Sequence, residues 1–157
     1  MTIFFDDMTT GQTYRSPART ITETDIAQFA GLTGDYNPLH TDDVFAAASD
    51  FGQRIAHGPM LVGMTFGLLS RVGLLDGSAL ALLDVTWAFK APVSPGDTVH
   101  VRATVSDARP SRKADRGVVR LAIEILNQLN RTVQTGQATV LVKKRQEEYA
   151  GTSGSAL

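Results

Sequence analysis

The chain has 157 residues and a formal net charge of −1, so its length fits one compact domain and its charge offers no overall basic surface for nucleic acid. Its 43% hydrophobic and 20% charged residues exclude collagen-like, disordered and membrane-spanning chains. Because cysteine is absent, disulfide bridges, thiol nucleophiles and cysteine-ligated metal sites are excluded as well.

The N-terminal segment predicts a cytoplasmic protein. Its apolar run, Ile3 to Phe5, is too short for a secretory signal peptide and no basic residue precedes it. The most apolar stretch, residues 59–75, falls short of the roughly 20 apolar residues that a bilayer span needs. We therefore expect no membrane partner and no nucleic-acid partner.

Two short helices are predicted first. Thr22 is a plausible N-cap with Asp25 as a weak capping-box partner, and Ile26 begins an apolar face. The sequence at 31–34, GLTG, is predicted to end this helix. Residues 34–40 are predicted to form a turn because Pro38 disfavours a helical residue before it. Asp42 or Asp43 can cap a second helix that runs through Ala48.

A long apolar helix is predicted from about Gly58 to Val72. Its large side chains recur at helical spacing, and the remaining positions are apolar or small, so we expect it to be buried nearly all round. Gly63 and Gly67 lie on one face of this helix, and we expect that face to pack against a sheet.

The second half of the chain predicts strands. Apolar residues alternate at 85–89, 99–105, 119–125 and 132–143, with Gly136 breaking the last run and a hairpin turn near Asn130 and Arg131. Trp87 and Phe89 are predicted to lie in the core. Helices followed by consecutive strands predict an α+β fold, a long helix wrapped by an antiparallel sheet. One domain is expected at 1–145, followed by a disordered tail at 146–157.

Asp35 and His40 flank a turn that Pro38 makes rigid. A carboxylate and an imidazole held on one turn can bind a single water, and one of them can take a proton from it while the other returns a proton to a substrate. The spacing alone favours a structural interpretation, in which Asp35 and Asn37 form Asx turns and His40 is an ordinary loop histidine.

Gly58 is predicted to begin the long helix. Backbone N–H groups are unpaired at such a terminus and can bind the oxyanion of a thioester carbonyl, while the missing side chain allows close approach. Gly58 can equally be a capping glycine that precedes Pro59 at its favoured position. We expect His57 to support the neighbouring loop.

Residues 29–46, FAGLTGDYNPLHTDDVFA, resemble the signature of the MaoC-like, R-specific enoyl-CoA hydratases. That signature combines an aromatic, an aliphatic and a small residue with G-D-x-N-P-aliphatic-H and a later small residue. The segment AHGPM at 56–60 resembles the pattern before the family's central helix, and the order of elements is similar from about residue 17 to 144. The signature places are filled by Phe29, Leu32, Thr33, Gly34, Asp35, Asn37, Pro38, Leu39, His40 and Ala46.

The resemblance implies a hot-dog fold, a homodimer or larger assembly, and a pocket at or near the subunit interface. It implies hydration of a trans-2-enoyl-CoA to an (R)-3-hydroxyacyl-CoA, with no metal and no cofactor. Asp35 and His40 would be the catalytic pair, and the Gly58 N–H would be the oxyanion donor. The positions expected to bind substrate are Asn37, Leu39, His57, Met60 and Leu61.

Four other expectations stay open. The basic residues at 109–116 and 143–145, and Lys90, are candidates for binding the phosphates of coenzyme A (CoA). A hot-dog thioesterase would share the fold, but it typically has a carboxylate on the central helix, and residues 58–72 contain none. A non-catalytic acyl-CoA-binding subunit has no use for the Asp35–His40 pair. A dehydratase for branched or dicarboxylic acyl-CoA would use the same residues.

Overall fold

The computed structural model describes residues 2–145, and the predicted tail at 146–157 lies outside them. Four helices precede most of the sheet: α1 at Glu23–Thr33, α2 at Pro38–Thr41, α3 at Asp43–Ala47 and α4 at Gly58–Ser70. The strands are β1 at Thr13–Arg15, β2 at Arg19–Thr20, β3 at Ala79–Phe89, β4 at Thr98–Pro110, β5 at Arg116–Leu126 and β6 at Thr132–Lys143.

The predicted start of α1 is confirmed. The Thr22 side chain accepts a hydrogen bond from the Asp25 N–H, and the Asp25 carboxylate accepts one from the Thr22 N–H, which completes the capping box. The predicted end within residues 31–34 is confirmed at Gly34, whereas Gly31 lies inside the helix. The helix continues to Thr33 and ends at Gly34, which takes up the left-handed conformation (φ 77°) that favours glycine after a helix.

The predicted turn before His40 is partly helical. Asn37 stays extended, as the residue before a proline must, and its side chain accepts a hydrogen bond from the Leu39 N–H. Pro38 then becomes the first residue of the single-turn helix α2. Asp42 caps α3 by accepting hydrogen bonds from the N–H groups of Val44 and Phe45, which confirms the second predicted helix.

The strands form one antiparallel sheet in the order β1-β4-β5-β6-β3, and β2 also pairs with β4. The two short strands β1 and β2 were not predicted. The prediction that Gly136 interrupts β6 is wrong, because pairing with β3 and β5 continues through it. A Cβ at Gly136 would lie 2.1 Å from the Trp87 ring, so the glycine makes room for the tryptophan.

The core lies between α4 and the inner face of the sheet, and this layering confirms the predicted α+β class. Alternate residues of β4, β5 and β6 point inward, as the period-two pattern predicts. Buried apolar side chains include Leu61, Leu69, Val101, Val105, Leu121, Ile123, Ile125 and Val140. No helix in the described part of the chain is long and apolar enough to span a membrane.

The prediction that α4 is buried nearly all round is wrong. Met60, Leu61 and Leu68 are buried, but Gly63 and Gly67 are exposed, and a Cβ added at either glycine would have no neighbour within 4 Å. The predicted packing of this glycine face against the sheet is therefore absent from the described residues. α4 has one flank turned to the core and one open flank.

Candidate active site

The turn that follows α1 holds Asp35 in place. The Asn37 N–H donates to the Asp35 carboxylate at 3.2 Å, and the Asp35 N–H donates to the Thr33 hydroxyl at 3.3 Å. The Asx-turn interpretation of these residues is therefore confirmed. Asp35 is also exposed, so its carboxylate remains accessible to a water or a substrate.

The ring of His40 has a fixed orientation. Its Nδ1 lies 2.8 Å from the Ile55 carbonyl oxygen. Because a carbonyl oxygen only accepts, Nδ1 carries the hydrogen of the neutral ring and Nε2 keeps its lone pair. His40 is half-buried and lines a cavity, so this side chain provides a hydrogen-bond acceptor at the cavity wall.

Asp35 and His40 lie side by side. A carboxylate oxygen of Asp35 and ring nitrogens of His40 and His57 are all within 4.8 Å of one another. Hydrogen bonds to water span about 2.7–3.0 Å each, so one water can contact both the carboxylate and the His40 ring. The turn therefore holds a carboxylate and an imidazole close enough to contact the same water molecule.

His57 lies behind this pair. It is fully buried, its Nε2 is 2.9 Å from the Asp35 carbonyl oxygen, and its ring stacks on the His40 ring with centroids 3.8 Å apart. Its Nδ1 has no partner among the described residues. These contacts fit the expected support of the loop. They do not place His57 at the cavity surface, where substrate would contact it.

The three side chains fit a metal ion poorly. The rings of His40 and His57 are only 30° from parallel, so their in-plane lone pairs do not converge on one point. One nitrogen of each ring is also engaged by a backbone carbonyl oxygen. Among the described residues this is the one group of three or more potential ligands.

Gly58 is the first residue of α4 and lines the same cavity. Its N–H has no acceptor within the helix, Pro59 has no N–H, and the Met60 N–H is bonded to the His57 carbonyl oxygen. The Gly58 N–H is thus the available donor at this helix end. A Cβ at Gly58 would lie 2.8 Å from the Phe89 ring, so packing also requires the glycine.

Gln134 is a site residue that the sequence analysis missed. It is buried, it accepts a hydrogen bond from the Trp87 indole N–H at 2.8 Å, and its amide donates to the Gly58 carbonyl oxygen at 3.2 Å. Gln134 therefore ties the first turn of α4 to β3 and β6. A polar residue at an inward-facing position of a strand is the signal that could have identified it.

The cavity has a volume of about 490 Å³. Of the predicted site residues, His40, Gly58 and Leu61 line it. Asp35, Asn37, Leu39, His57 and Met60 do not line it: Asp35 is exposed on the turn beside His40, Asn37 caps α2, Leu39 is half-buried behind the turn, and His57 and Met60 are buried. The other lining residues include Phe51, Ile55, Phe89, Lys90, Pro92 and Gln134.

The positions of Phe89 and Trp87 test the prediction that both lie in the core. Phe89 is 57% exposed, so its assignment to the core is wrong, whereas Trp87 packs against the core as expected.

The two basic segments, residues 109–116 and 143–145, meet at one end of the sheet, because Arg116 pairs with Lys143. That end lies next to Ala79 at the start of β3, whereas the cavity lies next to Phe89 at its end.

The chain is similar to a known protein family over most of its length. Residues 6–127 match the model of the MaoC-like domain. The chain is 33% identical over 145 residues to a 3-hydroxybutyryl-CoA dehydratase of Methylorubrum extorquens, covering 92% of this chain and 87% of that protein. It is 35% identical over 142 residues to an (R)-specific enoyl-CoA hydratase of Rhodospirillum rubrum, covering 90% and 93%.

Solved structures give the same result for the fold. The crystal structure of a MaoC-like dehydratase from Rhodospirillum rubrum has a TM-score of 0.83 and 30% identity, covering 92% of this chain and 99% of that one. A Mycobacterium tuberculosis protein described as a double hot-dog fold has a TM-score of 0.82 at 21% identity, over 93% of this chain and 46% of that one. The expected hot-dog fold is confirmed.

Proposed function

The chain belongs to the MaoC-like domain family, and from that membership we propose that it is an R-specific enoyl-CoA hydratase. The reaction is the reversible addition of water to a trans-2-enoyl-CoA, which gives an (R)-3-hydroxyacyl-CoA. The proposal rests on one observation. A carboxylate oxygen of Asp35 lies within 4.8 Å of a ring nitrogen of His40, beside a cavity that Gly58 lines.

In the proposed reaction the water oxygen bonds to C3 of the enoyl group while a water proton passes to His40 Nε2. Asp35 orients the water by accepting its other hydrogen. The π electrons of the C2–C3 bond move toward the thioester, and the negative charge develops on the thioester oxygen. The imidazolium then returns its proton to C2, so one water is added in total and both side chains regain their starting charge.

The Gly58 N–H stabilises the negative oxygen in this proposal. It lies at the positive end of the α4 dipole, and loss of one such donor elsewhere costs roughly 2.7–4 kcal/mol of transition-state stabilisation. Gln134 holds the Gly58 carbonyl oxygen, which fixes the orientation of the first turn. The donor is therefore in place before substrate arrives.

We also propose that the active form contains two subunits paired through β3. This strand is an edge of the sheet, eleven residues long, with one charged residue, Asp84, and no proline to prevent pairing. An apolar cavity of about 250 Å³ separates Phe66 of α4 from β3. A second copy can cover the exposed apolar side chains of β3, which are Leu80, Leu82, Leu83, Val85 and Phe89.

The direct test is incubation of the purified protein with crotonyl-CoA. We expect the enoyl absorbance to fall without release of free thiol, and chiral analysis to give the R product. Release of free CoA would instead support a thioesterase, although α4 offers no carboxylate for that chemistry. Binding without turnover would support a non-catalytic acyl-CoA-binding subunit.

A further inference from the structure

The side chain of His57 is fully buried and packs against two other rings. The centroid of its ring lies 3.8 Å from that of His40 and 5.0 Å from that of Phe29. Phe29 belongs to α1, whereas His57 is the residue directly before α4. A ring enclosed in this way has little freedom to rotate, so the groups that it contacts are held by a rigid part of the fold.

One hydrogen bond joins His57 to the turn that carries Asp35. The Nε2 atom of His57 lies 2.9 Å from the Asp35 carbonyl oxygen. A carbonyl oxygen only accepts, so Nε2 carries the ring hydrogen and Nδ1 keeps its lone pair. The hydrogen bonds that Asp35 makes within its own turn are longer, at 3.2 and 3.3 Å, and exposed. His57 therefore ties the backbone of Asp35 to the start of α4, 22 positions along the chain.

The ring of His40 is held at two places. Its Nδ1 is bonded to the Ile55 carbonyl oxygen at 2.8 Å, but a single hydrogen bond leaves a ring free to swing about that contact. The ring of His57 lies against its face, 30° from parallel, and blocks this movement. The direction of the His40 Nε2 lone pair is therefore fixed as well.

The backbone of His57 adjoins a third group of the site. The His57 carbonyl oxygen accepts a hydrogen bond from the Met60 N–H at 3.1 Å, and the next residue is Gly58, the proposed oxyanion donor. One residue thus contacts or adjoins Asp35, His40 and Gly58. Their relative positions matter because a misplacement of about 1 Å can cost on the order of 10²-fold in rate.

We propose that His57 is a positioning residue of the hydration reaction, which sets the Asp35 carboxylate and the His40 ring at the spacing that one water can bridge. This inference rests on the proposed hydratase function. His57 does not line the cavity, so it acts through the pair rather than on the substrate. Its Nδ1 has no partner within residues 2–145, so the ring passes no proton on to another side chain there.

The first test separates the two contacts of the His57 side chain. His57→Phe keeps an aromatic ring against His40 and removes the N–H that the Asp35 carbonyl accepts, whereas His57→Gln keeps an N–H near the position of Nε2 and removes the ring. We expect kcat for crotonyl-CoA to fall at least about tenfold in His57→Phe and by less in His57→Gln, with KM within about twofold of the wild type. An unchanged kcat in folded His57→Phe, or a loss confined to KM, overturns the inference.

The second test places His57→Phe in the Asp35→Asn protein. Once the carboxylate is gone, the hydrogen bond from His57 has no catalytic group left to position on that turn. We therefore expect the further fall in kcat to be less than about threefold. A fall as large as that in the wild-type background would show that His57 acts independently of Asp35, which contradicts the proposed role.

Thr65→Val is the matched control for these variants. Thr65 is also fully buried on α4, and its hydroxyl donates to the Leu61 carbonyl oxygen at 2.8 Å. The substitution removes one buried polar contact from the helix without touching the Asp35 turn. We expect it to keep the wild-type kcat, and a fall equal to that of His57→Phe would assign both effects to general loosening of α4 instead.

The wild-type protein provides a test that does not depend on the folding of any variant. The ¹⁵N–¹H correlation spectrum of the histidine rings distinguishes a hydrogen on Nε2 from one on Nδ1. We expect the His57 hydrogen on Nε2, exchanging slowly with solvent because it is buried. A hydrogen on Nδ1 overturns the inference. A wild-type protein with the Nε2 hydrogen but no activity on crotonyl-CoA overturns the hydratase proposal and not the contact between His57 and Asp35.

Discussion

Gln134 joins three elements through one side chain. Its carbonyl oxygen accepts from the Trp87 indole on β3, and its amide nitrogen donates to the Gly58 carbonyl oxygen at the start of α4. Because Gln134 is itself on β6 and is buried, the amide has little freedom to rotate. This network positions the helix end whose N–H is proposed to stabilise the oxyanion.

We expect Gln134→Leu to lower kcat/KM for crotonyl-CoA roughly tenfold, mainly through kcat, which corresponds to one lost hydrogen bond of about 1.4 kcal/mol. Trp87→Phe removes only the indole donor and is expected to have a smaller effect in the same direction. Steady-state kinetics of both variants, with thermal unfolding to confirm that they fold, provides the measurement. Wild-type kcat in a folded Gln134→Leu protein would remove Gln134 from the positioning network.

The surroundings of His100 lead us to expect that the free energy of unfolding depends on pH. Burial lowers the pKa of its imidazole, and the nearby cations Arg15 and Arg102 lower it further. Arg102 is itself paired with Glu124, and the His100 Nε2 has no partner among the described residues. Below the ordinary pKa of about 6.5 the unfolded chain takes up a proton that the folded protein resists, so the free energy of unfolding decreases as the pH falls.

We expect His100→Gln to reduce this loss of stability. Urea unfolding of the wild type and the variant at pH 7.5 and pH 5.5 measures the difference, since the other two histidines are common to both proteins. The carboxyl groups of Asp7, Asp25 and Asp115, whose pKa values are lowered, lose their stabilising effect at more acidic pH and do not contribute in this window. Equal pH dependence in the two proteins would contradict the assignment.

The sequence predicted residues that act through local spacing and missed those that act across the fold. Asp35, Asn37 and His40 lie within six positions of one another, so their turn was visible as a motif. Gln134 lies 47 positions from Trp87 and 76 from Gly58, and only the register of the sheet brings the three together. Long-range contacts of this kind leave no local pattern.

At the scale of elements, α4 and β3 both have surfaces that are left exposed in the single subunit. A Cβ added at Gly63 or Gly67 on the open flank of α4 would have no described atom within 4 Å, and most of β3 is exposed on both faces. An unpaired edge strand with apolar side chains is a surface that proteins normally cover. The proposed second subunit covers both features at once.

We expect Leu82→Lys to break the proposed dimer, because a lysine at this half-exposed position of β3 would be buried without a partner. The dissociation constant of the dimer should rise by at least roughly 10²-fold, the effect of about 3 kcal/mol. Sedimentation equilibrium measures the assembly, and hydratase activity should fall with it.

Leu129→Lys is the matched control for this prediction. Leu129 is more exposed than Leu82 but lies in the turn between β5 and β6, away from β3. We expect it to assemble like the wild type. A dimeric and fully active Leu82→Lys protein would place the subunit contact elsewhere.

Elements with local signals were predicted, and elements formed by distant pairing were not. The Thr22 and Asp42 caps and the long α4 helix depend on contacts within a few residues, and all three are confirmed. β1 and β2 have three and two residues, too short for a period-two pattern, and exist because β4 supplies their partners. The first half of β3, ALALLD, does not alternate because bulges interrupt its register.

For the whole molecule, the formal net charge is only −1, yet basic and acidic side chains are concentrated in different regions. Basic side chains gather at 109–116 and 143–145, while the surface around the Asp35 turn is mainly acidic. The acidic residues there are Glu23, Asp35, Asp42, Asp43 and Asp50, with Arg54 paired to two of them. Composition could not reveal this arrangement, because it depends on which ends of the strands meet.

In the proposed reaction, Asp35 and His40 act together on one water beside the cavity. The most direct measurement is the crotonyl-CoA hydration rate of Asp35→Asn, which keeps the shape of the side chain and removes its charge. Asp50→Asn serves as the control, since Asp50 is exposed and forms no ion pair with the described residues. We predict that kcat of folded Asp35→Asn falls by at least about 10²-fold and that Asp50→Asn matches the wild type. A rate for Asp35→Asn within a few-fold of the wild type would show that the Asp35 carboxylate takes no part in the reaction.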